Sequence, residues 1–160
     1  MNAAQPQPKS NATNLVQYLS FTLSGEEYAV EILRVQEIRG ICPITPLPHA
    51  PREVLGVMNL RGAVVPVVDL RLALGLPEAE RGKFDVIVVL SVQGKTMGFM
   101  VDSVSDVLSL DGSAIEKTPD LGTRADMSMV KGIARTQDRF VMMLDIERVS
   151  GVDFAETVAP

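Results

Sequence analysis

The chain has 160 residues, 46% hydrophobic, 22% charged and 4% aromatic, with 15 basic against 20 acidic side chains for a formal net charge of -5. That length and apolar fraction fit one compact unit with a buried core and exclude disorder throughout. Without clustered Lys and Arg there is no phosphate-tracking surface, so no nucleic-acid partner is expected; the single Cys42 excludes an intrachain disulfide, and with His49 alone the usual zinc ligand sets cannot be built.

Residues 1–14 hold one lysine and no apolar run. They read as a disordered lead rather than a signal peptide, and no stretch approaches the roughly 18 residues of a membrane span. A soluble, cytoplasmic protein of a reducing compartment is expected, with no direct membrane insertion.

From there the hydrophobic runs are short, rich in Val, Ile and Leu, and broken by glycine turns, which is the pattern of strands joined in hairpins. Tyr18 to Leu23 pairs with Tyr28 to Leu33 around Ser24-Gly25-Glu26. Val30 to Arg39 alternates imperfectly, leaving Ile32, Val35 and Ile38 beside Glu31, Arg34, Glu37 and Arg39, as on a partner-binding edge or as plain core packing. Ile41 to Pro51 then places four of the ten prolines in nine positions, which predicts an ordered, irregular crossover. Val54 to Leu60 forms a hairpin with Ala63 to Asp69, and a short helical turn follows, capped by Asp69 and closed by Gly75. The plan repeats: Val86 to Val92 with Thr96 to Val101 around Gln93-Gly94-Lys95, then Val130 to Thr136 with Arg139 to Asp145 and a turn from Asp145 to Gly151.

This repetition is specific. Shifted by 69 positions (94 minus 25), Tyr28 to Ile38 falls on Met97 to Val107, matching Val35 with Val104 and Glu37 with Asp106. A shift of 76 (132 minus 56) lays Leu55 to Arg71 on Lys131 to Glu147, matching Gly56 with Gly132 and Asp69 with Asp145. The chain reads as two copies of one small all-β unit, with a first barrel at about 15–76 and a second at about 80–150, the termini free to cross between them. A unit of about 60 to 70 residues is marginal alone, so two barrels packed together are expected. Residues 151–160 read as a C-terminal tail.

Little here could carry catalysis. There is no P-loop, Rossmann glycine fingerprint, nucleophile elbow or histidine-based zinc motif, so neither an enzyme nor a cofactor or metal site is expected. His49 lies among prolines, Cys42 reads as a small apolar filler, and Asp69 and Asp145 read as caps. Residues shared by both copies, such as Gly56 and Gly132, are explained by the fold. Asn59-Leu60-Arg61-Gly62 has no likeness in Arg135-Thr136-Gln137-Asp138, which makes Leu60 and Arg61 candidate contacts; alternatively, Arg61 pairs with Glu37. Met97, Met100, Met127, Met129, Met142 and Met143 fill either the core or an adaptable groove.

Three segments, YLSFTLSGEEYAVEILRVQEIRG, GVMNLRGAVVPVVDLR and DVIVVLSVQGKTMGFMVDSVSDVLSL, resemble the CheW family of chemotaxis coupling proteins, with a match from about Gln17 to Val149. The resemblance implies two five-stranded SH3-like barrels with a groove between them. It implies a non-catalytic adaptor that joins the cytoplasmic hairpin tip of a chemoreceptor to the regulatory domain of the histidine kinase CheA, within a membrane-associated array in which copies also self-associate. By motif, the receptor groove would use Ile32, Val35, Glu37, Val86, Gly98, Met100, Val104 and Val107, and the kinase-binding surface Ile44, Leu55, Gly56, Leu60 and Arg61. Glu116 to Met129 departs most from the family pattern, and the chain stops soon after Val149 without the long tail some members carry. The same fold would serve flagellar chemotaxis, pilus-based motility or another chemosensory pathway. The alternative class is a small-ligand carrier with a Met-lined cleft, or an enzyme inhibitor.

Overall fold

The computed structural model describes residues 15–77, 80, 82–117 and 129–148. The lead 1–14, the tail 151–160, Met127, Gly151 and most of Glu116 to Met129 lie outside the described residues. Strands β1 (Leu15–Leu23) and β2 (Glu26–Glu31) form the first hairpin, and a 3-10 turn (Ile32–Arg34) leads into β3 (Val35–Gly40). Next come β4 (Val54–Leu60), β5 (Ala63–Asp69) and the short helix α1 (Leu70–Ala73). The second half gives β6 (Val86–Val92), β7 (Lys95–Val101), β8 (Ser103–Asp111), a 3-10 turn (Gly112–Ala114), β9 (Ile115–Glu116), β10 (Val130–Thr136) and β11 (Arg139–Leu144), with residues 146–148 helical.

Among the described residues, four hairpins close with two-residue loops. Leu23 pairs with Glu26, Leu60 with Ala63, Val92 with Lys95 and Thr136 with Arg139. Three of these loops put Ser24, Arg61 or Gln93 at φ near +51° just before a glycine at positive φ, the tight turn whose twist matches that of the flanking strands. Asp69 caps α1, accepting from the Arg71 amide at 3.0 Å. Ile41 to Pro51 contributes no strand, only the Thr45–Val57 bridge.

The expected division into barrels at 15–76 and 80–150 is not how the strands are shared. One sheet runs β8-β1-β2-β11-β10-β9 and the other β3-β6-β7-β5-β4, so each repeat sends its first hairpin into the sheet built by the other. The exchange is reciprocal. In one sheet β7 lies parallel to β5, pairing Gly98 with Val67; in the other β2 lies parallel to β11, pairing Ala29 with Met143 at the equivalent positions. The register also skips at Gln36 in β3 and at Ser105 in β8, again 69 positions apart. Both edges are thus kinked by the same bulge.

Three apolar clusters result among the described residues. Met58, Leu60, Val65, Val67, Ile87, Val89 and Met100 fill the five-stranded sheet, while Tyr18, Ala29, Leu110, Ala134, Val141 and Met143 fill the six-stranded one. The largest joins both sheets, with Leu19, Phe21 and Leu23 from one meeting Val88, Leu90 and Phe99 from the other. Alternate residues of β1, β2, β6 and β7 therefore serve different cores, which is why these strands read as unbroken apolar runs.

Candidate protein-interaction surfaces

Ile32, Val35, Val86 and Val104 sit partly exposed at the border of the inter-sheet cluster and pack against it. On β8, Val107 pairs with Leu19, shares its face and stands 46% exposed. These five of the expected groove residues thus lie on one side, the side the two sheets turn toward each other. Ile38 belongs with them: it pairs with Val88 of the same cluster and is 45% exposed. The sequence did carry this signal, because the 69-residue shift equates Ile38 with Val107.

Gly98 and Met100 do not line that surface. Alternation along β7 sends Met97, Phe99 and Val101 to the inter-sheet core and Met100 into the interior of the five-stranded sheet, where it is fully buried. A Cβ on Gly98 would meet Ile87 Cγ2 at 2.8 Å and Met58 Cε at 3.3 Å, side chains of that same interior. Glu37 also turns away from Val35. The bulge at Gln36 sets Glu37 opposite Val89, and its carboxylate is taken up by Arg61 at 2.5 Å and Arg39 at 3.6 Å.

The Arg61–Glu37 pair fixes the tip of the β4–β5 hairpin against the edge strand β3. Arg61 keeps 69% of its side chain exposed and Glu37 25%. The hydrogen bond from Arg61 is the main reason the Glu37 carboxyl is held below its ordinary range, with the charges of Arg61 and Arg39 adding to it against an upward push from burial. Asn59 serves the turn itself, its Oδ1 accepting from the Gly62 amide at 2.9 Å.

Of the expected kinase-facing residues, Arg61 is on the surface, and Ile44 and Leu55 are half-buried, packed against the interior of the five-stranded sheet. Leu60 is not the exposed apolar tip that was expected: it is 6% exposed and belongs to that interior, because its neighbours Met58 and Val65 close around it. Gly56 offers no side chain and lets the crossover approach. A Cβ there would stand 2.1 Å from the Thr45 carbonyl oxygen. The exposed apolar residue at this tip is Val64, 71% exposed, and the equivalent position of the second hairpin holds Phe140, 60% exposed with Arg135 over its ring at 5.4 Å. Sequence reasoning passed over both, since each simply alternates within its strand.

The methionines act as core: Met97, Met100 and Met143 are at most 2% exposed, and Met129 and Met142 pack on the inter-sheet cluster. Cys42 lies 3.7 Å from the Met58 sulfur at the edge of the five-stranded interior. His49 is exposed at φ +60°. Among the described residues no helix is long and apolar enough to cross a membrane.

The chain superposes on a solved structure, the scaffolding protein TtCheW from Thermoanaerobacter tengcongensis, with a TM-score of 0.80 at 30% identity, covering 87% of this chain and 94% of that one. The CheW-like domain matches residues 17–152. The chain belongs to the CheW family of chemotaxis coupling proteins. Two further CheW proteins bear this out across most of its length. It is 40% identical to the chemotaxis protein CheW of Rhizobium meliloti (strain 1021) over 131 residues, 82% of this chain and 84% of the relative. It is 36% identical to the chemotaxis protein CheW of Klebsiella aerogenes over 133 residues, 83% and 80% of the two chains.

Proposed function

We propose that this protein is a non-catalytic adaptor that joins the cytoplasmic tip of a chemoreceptor to the regulatory domain of the histidine kinase CheA at the membrane-bound array. The observation that carries this reading is the CheW-like match over residues 17–152 on a fold shared with a CheW scaffolding protein. An adaptor of this kind acts by geometry: it holds two partners at a fixed distance and angle.

The receptor surface in this proposal is the inter-sheet side, with Ile32, Val35, Val86, Val104 and Val107 joined by Ile38. A receptor helix lays its apolar stripe there, a helix-in-groove contact. Gly98 and Met100 support this surface from the far side of the sheet without touching a partner. The kinase surface is the β4–β5 hairpin with its crossover, through Ile44, Leu55, Arg61 and Val64, while Leu60 and Gly56 shape it from beneath. Glu37 stands between the two, bonded to Arg61 on one side and two residues from Val35 on the other. Each contact is expected at or below about 1,200 Å², so repetition in an array supplies the avidity.

The test is CheA autophosphorylation with receptor-containing membranes, with and without this protein. Activity that rises only with all three components and falls on adding attractant supports the adaptor. A kinase indifferent to the protein, with neither partner co-sedimenting with it, overturns it.

A further inference from the structure

Where the chain passes between the sheets it is pinned twice, at related places. In the second repeat the crossover is Asp102, between β7 of one sheet and β8 of the other. Its Oδ1 lies 3.0 Å from Arg71 Nη1 on α1, its Oδ2 accepts from the Ser24 amide at 2.9 Å, and its own amide donates to Thr22 O at 3.0 Å. Arg71 is 3% exposed and also bonds Asp69 through Nε at 3.3 Å. Burial works against the Arg71 charge, but the hydrogen bond to Asp69 and the charges of Asp69, Asp102 and Asp85 outweigh it and raise its pKa. Arg71 follows β5 in the five-stranded sheet and Ser24 closes the β1–β2 turn of the six-stranded one, so one cluster of polar groups spans both.

In the first repeat the crossover is the 3-10 turn between β2 and β3. Its Arg34 pairs with Glu147, which follows β11 and is the counterpart of Arg71 under the 76-residue shift. The polarity is inverted. Cation on the turn and anion on the crossover become anion on the turn and cation on the crossover. In the Arg71–Asp102 tie the arginine is buried and the aspartate keeps 27% of its side chain exposed; the Arg34–Glu147 tie keeps 34% and 35%.

We infer that these two ion pairs, Arg71–Asp102 and Arg34–Glu147, are positioning devices that set the angle between the two sheets, and that this angle rather than partner affinity is what lets a receptor on one surface act on a kinase bound at the other. The inference rests on the adaptor reading for its second half. The first half concerns this chain alone. Neither tie touches the proposed kinase surface, and Arg34 acts by fixing the crossover that carries Ile32 into β3.

Spin labels at Gln93→Cys and Gln137→Cys, on exposed hairpin tips of the two sheets in a Cys42→Ser background, read the angle as a distance distribution. One narrow distribution is expected in the parent, with a broadened or displaced one in Asp102→Asn and in Glu147→Gln. In the same variants each partner should bind singly within about threefold of the parent, while kinase activation in the three-component assembly falls about tenfold or more. The Ser24 amide should lose hydrogen-exchange protection in Asp102→Ala, which removes its acceptor oxygen. Arg34→Glu should behave like Glu147→Gln, and Arg34→Glu with Glu147→Arg should restore both distance and activation by rebuilding the pair with the polarity of the Arg71–Asp102 tie. Unchanged distance distributions, or activation that simply tracks single-partner binding, overturn the inference. If Asp102→Asn fails to fold, the surface pair and its charge swap decide it. If the parent activates no kinase, the adaptor reading fails while the distance measurement still judges the ties.

Discussion

Replacing Gly56 by alanine tests how the crossover is seated. The new Cβ would lie 2.1 Å from the Thr45 carbonyl oxygen, 2.6 Å from its carbonyl carbon and 2.9 Å from Pro46 Cα, all backbone atoms, so no side chain can rotate away. The residue also sits at φ +145°, where an L side chain costs about 1 to 3 kcal/mol. Relief requires moving the crossover outward, which breaks the Thr45–Val57 bridge and its bonds of 2.8 and 2.9 Å, each worth about 0.5 to 1.5 kcal/mol. A loss on the order of 4 kcal/mol is expected, lowering Tm by about 10 °C for a chain of this size. Gly132 is the control. Its Cβ would meet the Ile115 Cγ2 at 2.5 Å and the Glu116 oxygen at 2.8 Å, but no positive φ is involved and β9 is only two residues long, so about 1 to 2 kcal/mol is expected. Urea unfolding of both variants, with amide exchange at Thr45 and Val57, measures this. Gly56→Ala within about 1 kcal/mol of the parent, or Gly132→Ala the more damaging of the two, would refute the reasoning.

Other expectations concern the two surfaces. Val107→Asp lies on a half-exposed position and should change stability by less than about 0.5 kcal/mol while weakening capture of a receptor hairpin fragment about tenfold; undiminished capture, measured by co-sedimentation, removes β8 from the surface. Leu60→Ala should cost about 3 kcal/mol because the side chain fills the five-stranded interior, and Leu60→Asp should cost more, so loss of kinase binding in either reports unfolding. Arg61→Ala is the informative kinase-side variant: the fold should persist in circular dichroism while affinity for the CheA regulatory domain drops. The Glu37–Arg61 pair should also respond to acid. Glu37 has a depressed folded pKa, so the stability it adds is present above the unfolded value and disappears as pH falls through the folded one. The stability gap between the parent and Glu37→Gln should therefore close in acid and shrink with salt; a gap unchanged by either contradicts the pair.

Much of the architecture was written locally. Ser24-Gly25 and Gln93-Gly94 announced their tight turns because only a few residues accept positive φ, and Asp69 announced its cap because its carboxylate reaches an orphan amide. The two shifts, 69 and 76, made the duplication visible, and the bulges at Gln36 and Ser105 fall on it in register. The family was legible as well, since GVMNLRGAVVPVVDLR concentrates turn, strand and cap requirements in one segment. What sequence could not decide was which sheet each hairpin joins, because the pairing of β7 with β5 and of β2 with β11 depends on long-range packing that leaves no local trace. That exchange determines which face of β7 meets which core, so it alone sent Met100 and Gly98 into the barrel interior and left Val35, Ile38, Val104 and Val107 at the border of the inter-sheet cluster. It likewise turned Leu60 inward from a hairpin tip and brought Asp102 between Arg71 and Ser24. Periodicity sets the alternation of a strand, but only the neighbouring sheets decide what lies on either side of it.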